Sequence, residues 1–173
     1  MKTSKTIYAL LILAMCSCSG AVPEKQDTAQ AKVKAEAKTN EAETIEAKAI
    51  TSEPGVVFYD IPLEAALEKA RLEGKHVLID CKSKSCGPCR RMEREVFPQE
   101  KLGKFVNEHF VPIMSDMEEE GEGKGIADKY TIQIYPTLLV LRPDASKEGE
   151  IIGAEYNIDA LIEMLKKDIL HEE

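Results

Sequence analysis

The chain has 173 residues, a formal net charge of −8, five cysteines and no tryptophan. An acidic balance of this kind argues against a nucleic-acid partner, because phosphate binding needs a basic face. The length leaves room for one compact domain and its flanking segments.

At the N-terminus, Lys2 and Lys5 precede an apolar stretch from Ile7 to Met15. About nine residues match the core of a secretory signal and fall short of the ~20 that span a bilayer. Cys16 and Cys18 follow at once, a pattern that resembles a bacterial lipoprotein signal. In such signals a cysteine after a small residue becomes the acylated first residue of the mature chain. Ser17 gives Cys18 that small neighbour, whereas Cys16 follows the bulkier Met15. Residues 1–18 are therefore read as a lipoprotein-type signal peptide with Cys18 lipidated and Cys16 the second choice. The alternative is ordinary cleavage after Ala21, which discards both cysteines.

Residues 19–53 are rich in Ala, Lys, Glu and Thr and contain no aromatic residue. Val22, Val33, Ile45 and Ile50 are too few to bury a core, so the segment reads as a flexible tether, or else a short coiled segment. As a coil of ~33 residues it would reach roughly 30 Å, enough to hold a domain clear of a membrane.

The remaining residues, 54–173, form the folded domain. Val56 to Tyr59 is a short β-favouring run and a candidate first strand. Pro62 can start a helix in which Leu63, Ala66, Leu67 and Ala70 share a face, and Gly74 closes it. His76 to Cys81 is a continuous apolar strand of the buried type. A polar stretch leads to Cys86-Gly87-Pro88-Cys89, after which Cys89, Met92 and Val96 mark a helix that Pro98 interrupts. Leu102, Phe105 and Val106 continue a second helical stretch, and Phe110 to Met114 is the next strand. An acidic, glycine-containing loop runs from Asp116 to Gly125, followed by a short helix near Ile126 to Tyr130. Thr137 to Leu141 and Glu150 to Gly153 are strands, the latter at an edge, and Ile158, Leu161, Ile162, Leu165 and Ile169 form an amphipathic last helix. This β-α-β-α-β-α-β-β-α order implies an α/β domain: one sheet with helices on both faces, its last two strands an antiparallel hairpin.

The chemistry lies in the cysteine pair. Cys86 falls at a helix N-cap, where its sulfur can accept a hydrogen bond from the first turn. Pro88 has no amide to give, so Cys89 supplies the donor. The positive end of the helix dipole also favours a thiolate, with Arg90 and Arg91 as further cations nearby in sequence. A thiolate at Cys86 can attack a disulfide, and Cys89, on the same helical face, can resolve the mixed disulfide. Zinc binding is the competing use of two such cysteines, but His76, His109 and His171 are scattered and no second pair exists. Asp116, Glu118, Glu120 and Gly121 imitate the start of a calcium loop whose twelfth position is Ala127 instead of Glu, so a solvated acidic loop is the reading. No metal is expected.

The Cys86-Gly87-Pro88-Cys89 motif, the strand Val77 to Asp80 before it, and Tyr135-Pro136-Thr137 before a later strand together resemble the thioredoxin superfamily. The resemblance covers residues 56–170. It is nearest to exported thioredoxin-like domains of the type that closes the thiol:disulfide interchange protein DsbD, to which Phe110 to Gly123 is similar. It implies a thioredoxin fold with a central mixed sheet. It implies that Asp80 is the buried carboxylate that exchanges a proton with the resolving cysteine, a task that burial would suit by raising its pKa. Pro136 would be the family's cis-proline, and Tyr135, Pro136, Gly87 and Pro88 would contact the substrate. Spacing alone leaves Asp80 as a strand-end acid and Pro136 as an ordinary turn proline.

Two positions depart from the family. Ser85 stands where a tryptophan is usual, and Met114 or a neighbour stands where a middle-strand lysine often lies. Cys81 alternates to the opposite strand face and reads as a buried core thiol rather than a third redox group.

The resulting expectation is an exported protein-disulfide oxidoreductase, periplasmic or in the cell envelope and lipid-anchored to a bacterial membrane. Its Gly-Pro dipeptide resembles that of thioredoxin, whose potential of about −270 mV points to a reductase. Its partners would be disulfide-bearing proteins and a membrane electron donor or other thiol–disulfide relay protein, with no organic cofactor. The competing reading is a module that uses its thiols to bind or deliver copper or an apocytochrome.

Overall fold

The computed structural model describes residues 48–51 and 54–171. The expected signal segment with Cys16 and Cys18, and the expected tether up to residue 47, lie outside the described residues.

Helix α1 (Leu63–Glu73) follows Pro62 at its N-cap and ends at Gly74, which takes the left-handed conformation at φ 66° and donates its N–H to the Ala70 carbonyl. Strand β1 (His76–Lys82) is central. Helix α2 (Gly87–Glu95) and helix α3 (Glu100–His109) then cross to strand β2 (Phe110–Asp116), which pairs parallel with β1. Helix α4 (Glu122–Tyr130) leads to strand β3 (Thr137–Leu141), antiparallel to β1, and strand β4 (Lys147–Ile152) pairs antiparallel with β3. Helix α5 (Ile158–Met164) completes the domain and continues as a π-helical segment, Leu165–Leu170. The sheet order β2-β1-β3-β4 is mixed, as expected.

Strand alternation assigns each face its helices. Leu78, Phe110, Leu138 and Val140 pack with Met92 of α2, Leu102 and Phe105 of α3, and Leu161 of α5. Val77, Ile79 and Cys81 face the other way, onto Ala66 and Ala70 of α1 and Ile126 and Tyr130 of α4. The alanines of α1 have little side chain to hold off the sheet, so that helix can sit close to it.

The structure corrects several sequence-based boundaries. Val56 to Tyr59 is not a strand of the sheet; Tyr59 makes only isolated bridges, parallel to Ile113 and antiparallel to Ala49. The reason is that the neighbouring amides bond elsewhere. The Val56 N–H donates to the Phe97 carbonyl and the Val57 N–H to Asn107 Oδ1, leaving the Tyr59 N–H to reach Pro112 at 2.9 Å. Residues 48–51, read from sequence as the end of the tether, hydrogen-bond back to this segment. The Ile50 amide donates to Phe58 at 2.8 Å, and the Thr51 hydroxyl accepts from the Phe58 amide.

Helix α4 starts at Glu122, inside the stretch expected to be loop. Gly123 permits this, because a Cβ there would overlap the Asp116 carbonyl. Strand β4 begins at Lys147 rather than Glu150. The last helix widens to π geometry, which keeps Leu161, Leu165 and Ile169 all buried. Among the described residues, no helix is long and apolar enough to cross a membrane.

Candidate redox site

Cys86 is the N-cap of α2, and Pro88 occupies the first turn, where a missing N–H has no helical partner to lose. The Cys89 amide donates to Cys86 Sγ at 3.1 Å. The two sulfurs form a disulfide whose Cα atoms are 5.3 Å apart. Cys86 keeps 9% of its surface exposed and Cys89 only 1%. The pair is therefore asymmetric: Cys86 keeps a little surface at the helix start, and Cys89 has almost none.

The loop before the pair holds itself in place. The Cys86 amide donates to Ser83 at 3.1 Å, and the Ser83 and Ser85 hydroxyls are 3.2 Å apart. Arg90 and Arg91, read from sequence as cations beside the thiol, have other partners. Arg90 Nη1 donates to the Lys84 carbonyl at 2.9 Å. Arg91 pairs with Glu95 at 2.7 Å and lies over the Tyr156 ring at 4.0 Å. Their role here is to brace the loop and the helix.

Asp80 continues the Leu78 face of β1, on the side packed against α2. It is 1% exposed, and neither carboxylate oxygen has a hydrogen-bond partner among the described residues. Burial pushes its pKa up to about 7; Lys82 acts to lower it and Glu93 to raise it. Lys82 Nζ lies 2.6 Å from Glu93 Oε1 and 3.7 Å from Met114 Sδ. Met114 stands opposite Asp80 in the β1–β2 register.

The Tyr135–Pro136 peptide is cis, as the resemblance implied. Thr137 pairs with Cys81 near the end of β1 that leads into the cysteine loop, so topology brings Pro136 to the same end of the sheet. The Gly153 amide donates to the Pro136 carbonyl at 2.8 Å, tying the loop after β4 to it. Pro136 is buried, Tyr135 half-buried and Ile134 exposed.

Cys81 is a free, buried thiol on the opposite face of β1, where burial, with the Asp80 charge beside it, pushes its pKa up to about 12. In the acidic segment, the Asp116 carboxylate accepts the Glu118 amide at 3.0 Å and Glu120 pairs with Lys124 at 2.8 Å. Among the described residues no group of three or more His, Cys, Asp or Glu side chains is arranged to hold a metal.

The sequence reading missed the Lys82–Glu93 pair and the Arg91–Tyr156 stack. The first had a signal, since Lys82 shares the strand face of Asp80 and Glu93 follows Cys89 by one helical turn. The second joins parts of the chain too distant for any local pattern to link.

Comparison with known proteins agrees with this geometry. The family model described as "Thioredoxin-like domain" matches residues 63–168. A thioredoxin H-type from Oryza sativa subsp. indica is 34% identical over 91 residues, covering 53% of this chain and 68% of the relative. The thiol:disulfide interchange protein DsbD of Pseudomonas fluorescens is 26% identical over 102 residues, 58% of this chain but only 18% of that protein. A solution structure of a candidate disulphide-isomerase from Bacteroides thetaiotaomicron superposes with a TM-score of 0.61 at 32% identity, covering 71% of this chain and 100% of the other.

Proposed function

Because the chain belongs to the thioredoxin-like domain family of thiol–disulfide oxidoreductases, we propose that it reduces disulfides of protein substrates outside the cytoplasm through Cys86 and Cys89. The observation that carries this reading is the asymmetric disulfide at the head of α2, with Cys86 the less buried of the two cysteines and its Sγ accepting the Cys89 amide.

In the reduced protein, the amide and the helix terminus favour a Cys86 thiolate. That thiolate attacks one sulfur of the substrate disulfide. The substrate S–S bond breaks, a Cys86–substrate disulfide forms, and the leaving thiolate takes up a proton. Cys89 then gives its proton to the Asp80 carboxylate and attacks Cys86 Sγ. The second substrate thiolate leaves and is protonated. Two electrons have passed to the substrate, and the Cys86–Cys89 disulfide is closed. Burial suits Asp80 to this role, because an acid with a pKa of about 7 can hold or release a proton near neutrality.

Pro136, Tyr135, Gly87 and Pro88 are the proposed substrate contacts, with exposed Ile134 beside them. Regeneration needs a donor dithiol, which for an exported protein implies a relay partner at the membrane. The signal reading of residues 1–18 supports export, and Cys18 is the proposed lipid attachment point.

The reading is tested by insulin reduction in dithiothreitol, followed by equilibration of the protein with glutathione. Wild type should accelerate insulin precipitation and Cys86→Ser should not. A dithiol potential near about −270 mV fits a reductase, and one near about −120 mV would make the protein an oxidant instead. Absence of any acceleration would refute the function.

A further inference from the structure

Asp80 is a buried acid with no hydrogen-bond partner among the described residues, so burial dominates its ionisation and charges at longer range adjust it. Its surroundings are few and can be named by element. On β1 are Lys82, on its own face, and Cys81, on the other. From α2 comes Glu93. From β2 the register partner is Met114, and from β3 it is Leu138, neither of which carries charge. Lys82 and Glu93 are thus the two charged groups that act on the acid.

Lys82 is held in a defined place. Its ammonium lies 2.6 Å from Glu93 Oε1 and 3.7 Å from Met114 Sδ, so it rests against the residue that is the register partner of Asp80 in β2. Both partners are only about a third exposed or less, at 27% for Lys82 and 30% for Glu93. A cleft of about 440 Å³, whose lining includes Gly55, Glu93, Phe97 and Met114, opens beside the pair. Water can therefore reach Glu93 from the side of α2 remote from the disulfide, while Asp80 stays dry.

We propose that Lys82, fixed by Glu93, is the positioning cation for the proton exchanged between Asp80 and Cys89. The partners of the Lys82 ammonium are Glu93 and Met114 Sδ rather than the redox sulfurs; it acts through Asp80 by favouring the carboxylate that must accept the Cys89 proton. Glu93 holds Lys82 through a carboxylate oxygen and, by its charge, opposes ionisation of Asp80; glutamine keeps an acceptor oxygen for Lys82 and removes only the charge. The two substitutions therefore have opposite signatures, which a merely structural ion pair would not produce. This inference rests on the oxidoreductase reading above.

The test uses the full chain, reduced, and follows its reaction with a small aromatic disulfide from pH 5.5 to 9, with the Asp80 carboxyl titrated in parallel by carbon NMR. Lys82→Met should move the Asp80 midpoint up by about one pH unit and slow the reaction below that midpoint by up to about tenfold. Lys82→Arg should restore the wild-type profile. Glu93→Gln should move the midpoint down. In an Asp80→Asn background, Lys82→Met should no longer change the rate profile. Unmoved profiles in an active protein, or a rate shift that persists without Asp80, would overturn the role of Lys82 and leave the oxidoreductase reading standing. A wild type with no disulfide exchange at all would overturn both.

Discussion

Asp80 is the register partner of Met114 in the parallel strands β1 and β2, and the buried carboxylate has no hydrogen-bond donor among the described residues. This placement has a consequence for stability. The ordinary value for the group is 3.8 and the folded value about 7. Between these pH values the unfolded chain has given up the proton and the folded chain has kept it. The folded state binds more protons there, so stability falls as pH rises through the window. The full effect is on the order of 4 kcal/mol, complete above about pH 7 and absent below about pH 4.

Other carboxylates, such as Glu73 with Lys69 and Lys75, are held below their usual range and push the opposite way. The difference between Asp80→Asn and wild type isolates the one group. In urea unfolding, the advantage of Asp80→Asn should grow by several kcal/mol between pH 4 and pH 8. A gap that stays constant would show that Asp80 ionises in the folded chain like an exposed acid.

Cys81 should be silent in the native protein. Its thiol is fully buried and its pKa raised to about 12, so almost no thiolate exists at pH 8. Iodoacetamide labelling of the reduced protein, mapped by peptide mass, should modify Cys86 within minutes and leave Cys81 untouched until denaturant is added. Rapid native labelling of Cys81 would reopen its reading as a third redox thiol.

Much of this arrangement was legible in the chain. The apolar run from Val77 to Ile79, flanked by polar residues, marked the central strand, and Pro88 after Cys86 marked the helix start. Those signals are local, because strand burial and capping are written within a few residues. The segment from Val56 to Tyr59 misled because its composition suits a strand while Phe97 and Asn107 capture its hydrogen-bond donors. Asn107 lies fifty positions from Val57, and no local pattern announces such a partner. The Lys82–Glu93 pair was overlooked for a related reason: each residue alone reads as an ordinary surface charge, and only their convergence beside Asp80 gives them meaning.

Gly123 marks another non-local constraint. Its Cα passes so close to the Asp116 carbonyl that any side chain would collide with backbone, which cannot rotate away. Gly123→Ala should lower the unfolding free energy by about 1–3 kcal/mol, seen as a lower urea midpoint at unchanged slope. Gly125→Ala, in the same helix with open space around it, should be neutral or slightly stabilising. Equal effects at the two positions would mean that the start of α4 yields easily.

The division of labour between the two sulfurs can be read directly by capture. With Cys89→Ser, Cys86 can still attack a disulfide but nothing intramolecular can release it. Incubated with a disulfide-bonded protein substrate, this variant should accumulate a mixed disulfide mapped to Cys86, whereas wild type and Cys86→Ser should not. If Cys86→Ser captures as much as Cys89→Ser, or if neither captures anything, then Cys86 is not the attacking group.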